Sequence, residues 1–336
     1  MKFPFNVYVF AVAGGWLTAF ATLPVWRRWC WRKGLVDDPG ARKLHDRPIP
    51  LAGGLTLLTG LVVPTVVATL ALLGQSRLGY SGAGLRLLSP HSTDLLVHGL
   101  GKRAFELGSL MVGALGMLIV GLLDDKHELR PLTKLAGQIL AAILVAASGA
   151  RITLFVPSIV FSYAITILWV LTLVNALNFL DNMNGLCTGL GALGAGYFAL
   201  LAAAADQYLV ALIAFLISGA LLGFLPYNFP RATAFLGDSG SHLVGYLLAV
   251  LAILPHFSTP QHPHPWAVLS PLLVLAVPLL DLVWVVCLRW RMRKPIYVGD
   301  TNHLSHRLVR LGLSRTQAVL LIWAISAGAS SLAFLL

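Results

Sequence analysis

The chain has 336 residues, of which 57% are hydrophobic and only 11% are charged. A soluble domain carries about 25% charged residues, so this composition excludes a water-soluble protein and predicts an all-α, polytopic integral membrane protein. Lysine and arginine outnumber aspartate and glutamate by 24 to 13, which gives a formal charge of +11. In a membrane protein such an excess indicates a base-rich cytoplasmic face and, beyond that, an anionic substrate.

Apolar runs of about 20 residues, long enough to cross a bilayer, recur along the chain. They predict one membrane-embedded domain over residues 1–336 with about ten transmembrane helices, or eleven by a looser count. The first run is uncharged from Phe3 to Trp26, too long for the apolar part of a signal peptide, so we expect an uncleaved span. The ten predicted spans are 3–25, 49–74, 105–123, 131–149, 157–177, 186–205, 208–226, 241–255, 266–288 and 316–336.

The ninth predicted span contains two prolines, Pro271 and Pro278. Each proline removes one helix hydrogen bond, so the pair predicts a kink. A bent helix would leave a lateral groove through which a lipid substrate reaches the inside loops near Asp281. A purely structural kink is the alternative.

The charged residues are divided unevenly between the two sides of the membrane. With the N-terminus outside, 18 lysines and arginines lie on inside connections and six lie outside, which predicts the orientation. Acids at the bilayer midplane are typical of pumps and carriers, whereas acids at one interface favour an enzyme acting on a water-soluble, charged substrate. Nine of the thirteen acids lie inside: Asp37, Asp38, Asp46, Asp124, Asp125, Glu128, Asp181, Asp238 and Asp300.

Two adjacent carboxylates, Asp124 and Asp125, end the third span, and Lys134 and Gln138 share one face of the fourth. Adjacent carboxylates repel each other unless a cation lies beside them, so the lysine is a candidate partner. The pair and the lysine are candidate catalytic groups. A solvated helix end and a lysine that only marks the cytoplasmic side explain them equally well.

The fifth span ends in five amide or acid side chains with no base among them. Asn175, Asn178 and Asn182 fall within a stripe of about 60° on a helix, and Asp181 lies beside it. Asn184 is the fifth of these side chains. Such oxygen-rich groups are typical ligands of hard cations. A polar helix end packed against its neighbours is the alternative interpretation.

The segment Phe235-Leu-Gly237-Asp238-Ser-Gly240-Ser241 precedes the eighth span. An acid flanked by glycines at a helix start either caps that helix or holds Mg²⁺ while backbone amides face a phosphate. The loop lacks the Gly-Lys-Ser/Thr of a P-loop.

Two further inside loops are basic. His303 and His306 lie three residues apart beside Arg307, without a third ligand for zinc, so phosphate contacts are the favoured interpretation. Arg42-Lys43-Leu-His45 precedes Pro50 and Gly53-Gly54, and here a plain positive-inside loop explains the bases as well.

Taken in order, these motifs resemble the polyprenyl-phosphate N-acetylhexosamine-1-phosphate transferases. That family includes the UDP-GlcNAc:undecaprenyl-phosphate enzymes and the phospho-MurNAc-pentapeptide translocases, and the GlcNAc-1-phosphate branch is the more similar. The resemblance extends from Arg42 to about Ser314. It comprises Arg42-Lys43-x-His45, Pro50-x-x-Gly53-Gly54, Asp124-Asp125 with Lys134 and Gln138, Asn175-x-x-Asn178-x-x-Asp181, Asn228, Phe235-x-Gly-Asp238-x-Gly-Ser241, Pro278-x-x-Asp281 and His303-x-x-His306-Arg307-Leu308.

The resemblance implies transfer of GlcNAc-1-phosphate from UDP-GlcNAc to a polyprenyl phosphate at the cytoplasmic face of a bacterial inner membrane. It implies Mg²⁺, with Mn²⁺ as a substitute, held by Asp238 and Asn178. The implied partners are the UDP-sugar, the polyprenyl phosphate and the bilayer. A homodimer is compatible with the resemblance, and no nucleic-acid partner is expected. The implied catalytic residues are Asp124, Asp125, Asp181, Lys134, His303 and His306. The implied nucleotide- and sugar-binding residues are Asn184, Asn228, Phe235, Arg42, Lys43 and Arg307.

Two departures from the family pattern leave the substrate open. The bacterial pattern Asp-Gly-x-Asp-Gly is here Asp181-Asn-Met-Asn184-Gly185, and His-x-His-His is His303-Leu-Ser305-His306. Transfer from another UDP-HexNAc, an inactive scaffolding member of the family, and a transporter or lipid flippase remain alternatives. For the transferase we expect direct displacement, because a phosphate monoester with a second pKa of about 6 is already largely dianionic near neutral pH.

Overall fold

The computed structural model describes residues 5–39, 47–77, 90–154, 156–255, 257, 265–295 and 300–336, and most of them are helical. Two 3₁₀ turns, Pro265–Leu269 and Leu332–Leu335, accompany the helices. The elements are α1 Phe5–Lys33, β1 Val36–Asp37, β2 Ile49–Pro50, α2 Gly53–Arg77, α3 Pro90–His127, α4 Pro131–Ala147, α5 Ile159–Leu180, α6 Leu186–Ala204, α7 Tyr208–Asn228, α8 Gly237–Leu251, α9 Ser270–Val274, α10 Ala276–Arg291, α11 Leu304–Arg310 and α12 Arg315–Ser331.

The all-α prediction is confirmed, and a helix occupies each of the ten predicted spans. Among the described residues, seven helices are long and apolar enough to cross a membrane, or eight if one bent pair is a single span. The helices α4 and α8 have 17 and 15 residues. At 1.5 Å per residue such helices are shorter than the roughly 30 Å hydrocarbon core. The count of ten therefore stays a prediction.

The ninth predicted span is broken, as its prolines predict. The segment Trp266–Val274 meets α10 at 72°, and the break falls at Leu275, between Pro271 and Pro278. A proline ring cannot supply the amide hydrogen that a continuous helix needs at its position.

The helix α8 is the central element, buried on almost all of its length against α2, α3 and α5. Glycines allow this approach. A Cβ atom on Gly121 of α3 or on Gly54 of α2 would overlap the backbone of Ser239 at the start of α8. The close contact at Gly121 brings the end of α3, with its two acids, against the first turn of α8.

A short antiparallel pairing of β1 and β2 follows α1, and Leu51 forms a parallel bridge to Phe235. The amide of Phe235 donates to the carbonyl of Pro50 at 3.0 Å, and the amide of Gly53 donates to the carbonyl of Phe235 at 3.1 Å. These bonds attach the segment before α8 to the start of α2.

Candidate active site

One cavity of about 750 Å³ opens where the ends of α5 and α7 approach the starts of α8 and α12. It combines carboxylates, amides, arginines and aromatic rings, which is the composition expected for a site that binds a charged organic substrate and a cation. It is lined by Asp37, Ile49, Leu51, Asp125, Asp181, Asn182, Met183, Asn184, Asn228, Phe229, Pro230, Arg231, Ala232, Phe235, Gly237, Asp238, Arg315, Thr316 and Val319.

Asp125 is bound to the start of α8. Its Oδ1 accepts a hydrogen bond from the amide of Asp238 at 2.7 Å, and its Oδ2 accepts one from the amide of Ser239 at 3.1 Å. The first amides of a helix lack partners within the helix and carry partial positive charge, so a carboxylate satisfies both needs. Asp125 thereby fixes the first turn of α8 at the cavity.

Asp124 and Lys134 form an ion pair beside Asp238. The Asp124 side chain is almost fully buried, with Oδ1 accepting from the amide of Leu129 at 2.8 Å. The Lys134 Nζ lies 3.6 Å from Oδ2 of Asp238, so one cation faces two carboxylates. Neither Asp124 nor Lys134 lines the cavity itself, and their link to it runs through Asp238.

Asp238 is oriented by Asn178, the other residue expected to bind the metal. Asn178 Nδ2 donates to Asp238 Oδ1 at 2.8 Å and is also 2.9 Å from Ser241 Oγ. The two side chains expected to hold the metal are thus bonded to each other, and their role as metal ligands stays a prediction. The hydrogen bond holds the Asp238 carboxylate at the cavity and leaves the Asn178 carbonyl oxygen for another ligand.

Asp181 ends α5, and its carboxylate lines the cavity without a hydrogen bond to any described residue. Desolvation by the surrounding protein, and then the nearby charges of Asp238 and Asp125, raise the pKa of Asp181 well above its usual value. Neighbouring carboxylates that repel one another in this way gain stability from a shared cation.

The donor set around the cavity fits Mg²⁺. The described residues contain no group of three His, Cys, Asp or Glu side chains close enough to enclose a metal by themselves. Magnesium does not need such a group, because it is usually held by one or two carboxylates while water and substrate phosphates fill its other positions. The oxygen donors available to such an ion are the carboxylates of Asp238 and Asp181, which line the cavity, and the side-chain oxygen of Asn178, which does not line it and belongs to the amide bonded to Asp238.

Three residues expected to bind the nucleotide sugar, Asn184, Asn228 and Phe235, all line the cavity. Asn184 Nδ2 donates to the carbonyl of Pro230 at 3.1 Å, from the partly exposed loop that follows α5. The ring of Phe235 is partly exposed, which leaves part of it accessible to a planar ligand.

Asn228 has a second, structural task. Its Oδ1 accepts from the amide of Gly185 at 3.0 Å and from Thr188 Oγ1 at 2.8 Å, and its Nδ2 donates to the carbonyl of Ala234. Gly185 has φ of 75°, a conformation that favours glycine, and a Cβ there would overlap the Phe229 ring. Asn228 therefore joins the start of α6 to the cavity wall.

The expected catalytic residues of α11 lie beside the cavity and do not line it. His303 Nδ1 is 2.7 Å from Asp281 Oδ2, and both side chains are buried. Burial, and then the neighbouring His303, Arg315 and Arg310, lower the pKa of His306 from its usual value. The Arg307 guanidinium lies over the Trp284 ring, 4.5 Å from its centroid.

Arg42 and Lys43 lie outside the described residues, so their expected contact with the substrate stays a prediction. Two other cavity arginines, Arg231 and Arg315, were not selected from the sequence as site residues. The sequence identifies both only as inside bases. Arg231 closely follows Asn228, and Arg315 follows Ser314, where the resemblance to the family ends. Among the described residues neither guanidinium forms an ion pair or a hydrogen bond.

Comparison with known proteins agrees with the motifs. The family described as Glycosyl transferase family 4 matches residues 107–256, the part that carries the carboxylates of the cavity from Asp125 to Asp238. The decaprenyl-phosphate N-acetylglucosaminephosphotransferase of Mycobacterium tuberculosis (strain ATCC 25618 / H37Rv) is 35% identical over 333 residues, which cover 91% of this chain and 76% of that protein.

Two more distant relatives cover as much of the chain. The probable undecaprenyl-phosphate N-acetylglucosaminyl 1-phosphate transferase of Bacillus subtilis (strain 168) is 29% identical over 92% of this chain and 79% of its own length. The undecaprenyl-phosphate alpha-N-acetylglucosaminyl 1-phosphate transferase of Yersinia pestis is 28% identical over 94% and 79%. These similarities confirm the prediction of an enzyme over a transporter. The chain belongs to glycosyl transferase family 4, the polyprenyl-phosphate N-acetylhexosamine-1-phosphate transferases.

Proposed function

We propose that the protein transfers GlcNAc-1-phosphate from UDP-GlcNAc to a polyprenyl phosphate, with Mg²⁺, at the cytoplasmic face of a bacterial inner membrane. An oxygen of the lipid phosphate attacks the β-phosphorus of the donor. The bond from that phosphorus to the bridging oxygen breaks, and UMP leaves with the bridging oxygen. The product is a polyprenyl pyrophosphoryl sugar that starts a lipid-linked envelope glycan.

The observation that carries this proposal is the meeting of Asp125, Asp181 and Asp238 with Arg231 and Arg315 on one cavity. A cavity with both charge types suits a pyrophosphate that arrives with a divalent cation. The names of the relatives support the polyprenyl-phosphate acceptor and the N-acetylglucosamine phosphate group. The UDP moiety and Mg²⁺ are implied by the resemblance of the motifs to the family, and the carboxylates and arginines of the cavity are compatible with both.

Phosphoryl transfer depends chiefly on positioning and electrostatic stabilisation. When bound, Mg²⁺ would neutralise the pyrophosphate charge and polarise its phosphorus–oxygen bonds. Asp238 and Asp181, with the Asn178 carbonyl, are the residues that would hold it. Asp238 owes its orientation to Asn178 and to the amide that it donates to Asp125.

The remaining polar groups bind and orient the two substrates. Lys134, 3.6 Å from Asp238, supplies positive charge where an acceptor phosphate would approach. Phe235 offers a ring on which the nucleotide base stacks, and Arg231 and Arg315 contact the donor phosphates. The acceptor is largely dianionic near neutral pH, so a carboxylate has only to orient it, and direct displacement needs no phosphorylated enzyme.

The direct test is transfer by the purified protein in detergent with UDP-GlcNAc, undecaprenyl phosphate and Mg²⁺, followed by detection of UMP and the lipid product. UDP-GalNAc and UDP-MurNAc-pentapeptide serve as competing donors. We expect preference for UDP-GlcNAc and loss of turnover on chelation. Absence of UMP formation with all three donors would contradict the proposal, and a trapped phosphoaspartate would contradict direct displacement.

A matched pair of variants distinguishes an effect specific to the site from the effect of removing any one negative charge. We expect Asp238→Asn to abolish transfer, while Asp206→Asn leaves it unchanged. Asp206 lies just after the C-terminus of α6, a helix of 19 residues whose N-terminus is at the cavity. Within the described part of the chain, its side chain accepts a hydrogen bond from Tyr208 alone. Equal losses from both variants would contradict the assignment of Asp238 to the site.

A further inference from the structure

A buried serine of α11 is bonded to the wall of the cavity. Ser305 Oγ donates to Asn182 Oδ1 at 2.7 Å, and the Ser305 side chain is fully buried. Asn182 lines the cavity next to Asp181. The pair stands where the family pattern has a glycine and a histidine, so both partners of this hydrogen bond depart from the pattern together.

Both ends of the Asn182 amide are engaged. Its Nδ2 donates to the carbonyl of Phe179 at 2.9 Å, while its Oδ1 accepts from Ser305. The amide group therefore has one orientation, and the turn after α5 is fixed on two sides. A buried hydroxyl that is removed from such a pair leaves an acceptor without a donor, which is costly.

The neighbouring Asp181 lacks comparable support. Its amide donates to the carbonyl of Asn178 at 3.2 Å, but its carboxylate receives no hydrogen bond from the described residues. The position of this carboxylate therefore depends on the backbone of the turn. Asn184 and Gly185, further along the turn, bond to Pro230 and Asn228. The contact from outside α5 that reaches the residue next to Asp181 is the one from Ser305 to Asn182.

The start of α11 is itself anchored. Asp281 Oδ1 accepts from the amide of Leu304 at 2.7 Å, and Asp281 Oδ2 pairs with His303. Ser305 thus occupies a fixed place next to a buried carboxylate of α10. A connected path runs from Asp281 through the first turn of α11 to Asn182.

We propose that Ser305 is a positioning residue, which acts through Asn182 to hold the Asp181 carboxylate towards Asp238 in the cavity. The inference rests on the proposed transfer reaction for its consequence in turnover. Because Ser305 acts on placement and not on substrate affinity, its loss lowers kcat and leaves KM for the sugar nucleotide nearly unchanged.

The test is a double-mutant cycle of wild type, Ser305→Ala, Asn182→Ala and the double variant. We expect each single variant to lower kcat about tenfold, with the double variant no slower than the slower single one. Ser330→Ala is the matched control, since Ser330 is a fully buried hydroxyl of α12 bonded to the carbonyls of Val274 and Ser326. It should leave kcat unchanged.

A second readout does not depend on turnover. Backbone hydrogen exchange across residues 181–186, measured without substrate, should become faster in Ser305→Ala and stay unchanged in Ser330→Ala. Additive effects on kcat, an effect confined to KM, or unchanged exchange in Ser305→Ala would each overturn the positioning role. A wild-type protein without transfer activity would overturn the proposed function instead, and the exchange result would still decide the role of Ser305.

Discussion

The carboxylate of Asp125 accepts the backbone amide of Asp238 at 2.7 Å, although the two acids are 113 residues apart in the chain. One acid therefore caps the helix from which the other projects its side chain into the cavity. A carboxylate at a helix start compensates unpaired amides and the positive end of the helix dipole. The two acids, similar in the sequence, have different tasks in the fold.

This division predicts different effects of removing each acid. Asp125→Ala should lower the free energy of unfolding by about 1–2 kcal/mol, the cost of losing a helix cap, and should also reduce transfer. Asp238→Ala should abolish transfer with a smaller loss of stability, because its side chain is partly exposed and lies among other acids. Thermal unfolding in detergent beside an activity assay measures both. Equal destabilisation by the two variants would contradict the capping role.

The ion pair of Lys134 with the buried Asp124 predicts a second effect. Lys134→Met leaves a buried carboxylate without its cation, and we expect a loss of about 2 kcal/mol, less than for a fully buried pair because Lys134 is partly solvated. The double variant Lys134→Met/Asp124→Asn should regain stability without regaining activity. Lys126→Met, at an exposed lysine, is the control. A double variant no more stable than Lys134→Met would argue against the ion pair.

The raised pKa of Asp181 predicts a dependence of stability on pH. A carboxyl whose pKa is higher in the folded state than in the unfolded state favours folding most when it is protonated, and this contribution is lost as the pH rises through the folded-state pKa. In chelator at neutral pH, Asp181→Asn should therefore be more stable than wild type and inactive. This difference in stability between Asp181→Asn and wild type should become smaller as the pH is lowered from neutral, because Asp181 of the wild type then becomes protonated.

Magnesium provides the complementary measurement for the same residue. A cation that binds only the folded protein raises its unfolding temperature. Added Mg²⁺ should stabilise wild type more than Asp181→Asn, because the variant lacks one of the proposed oxygen donors. An equal shift in both proteins would exclude Asp181 from the cation site, and a neutral-pH stability below wild type would contradict the charge repulsion.

The cavity arginines predict an effect on donor binding. Arg231→Gln and Arg315→Gln should each raise KM for UDP-GlcNAc about tenfold, since each removes a charged contact to phosphate, with little change in stability. Arg151→Gln is the control, at an exposed arginine on the opposite predicted side. Unchanged KM values in both cavity variants, measured at low ionic strength, would remove the arginines from the donor site.

The broken ninth span and the Asn178–Asp238 pair illustrate what local patterns can predict. Prolines disrupt helices through their own covalent structure, so Pro271 and Pro278 predicted a kink without tertiary information, and the structure shows a bend of 72°. Asn178 and Asp238 were paired by the resemblance of their motifs to the family, because local spacing cannot relate two residues that are 60 positions apart. Arg231 and Arg315 could not be distinguished in this way from other cytoplasmic bases, since orientation alone accounts for their charge.

The sequence by itself determined the helical membrane fold, because scarce charge and long apolar runs fix the solvent in which the chain folds. It also determined the family and pointed to Asp125, Asp181 and Asp238, three of the four acids that line the cavity. Only the tertiary structure decided that Asp125 caps α8, that Asp181 is left without a hydrogen bond among the described residues, and that Ser305 holds Asn182. These roles arise from contacts between segments far apart in the chain, and local spacing carries no information about which donor meets which acceptor.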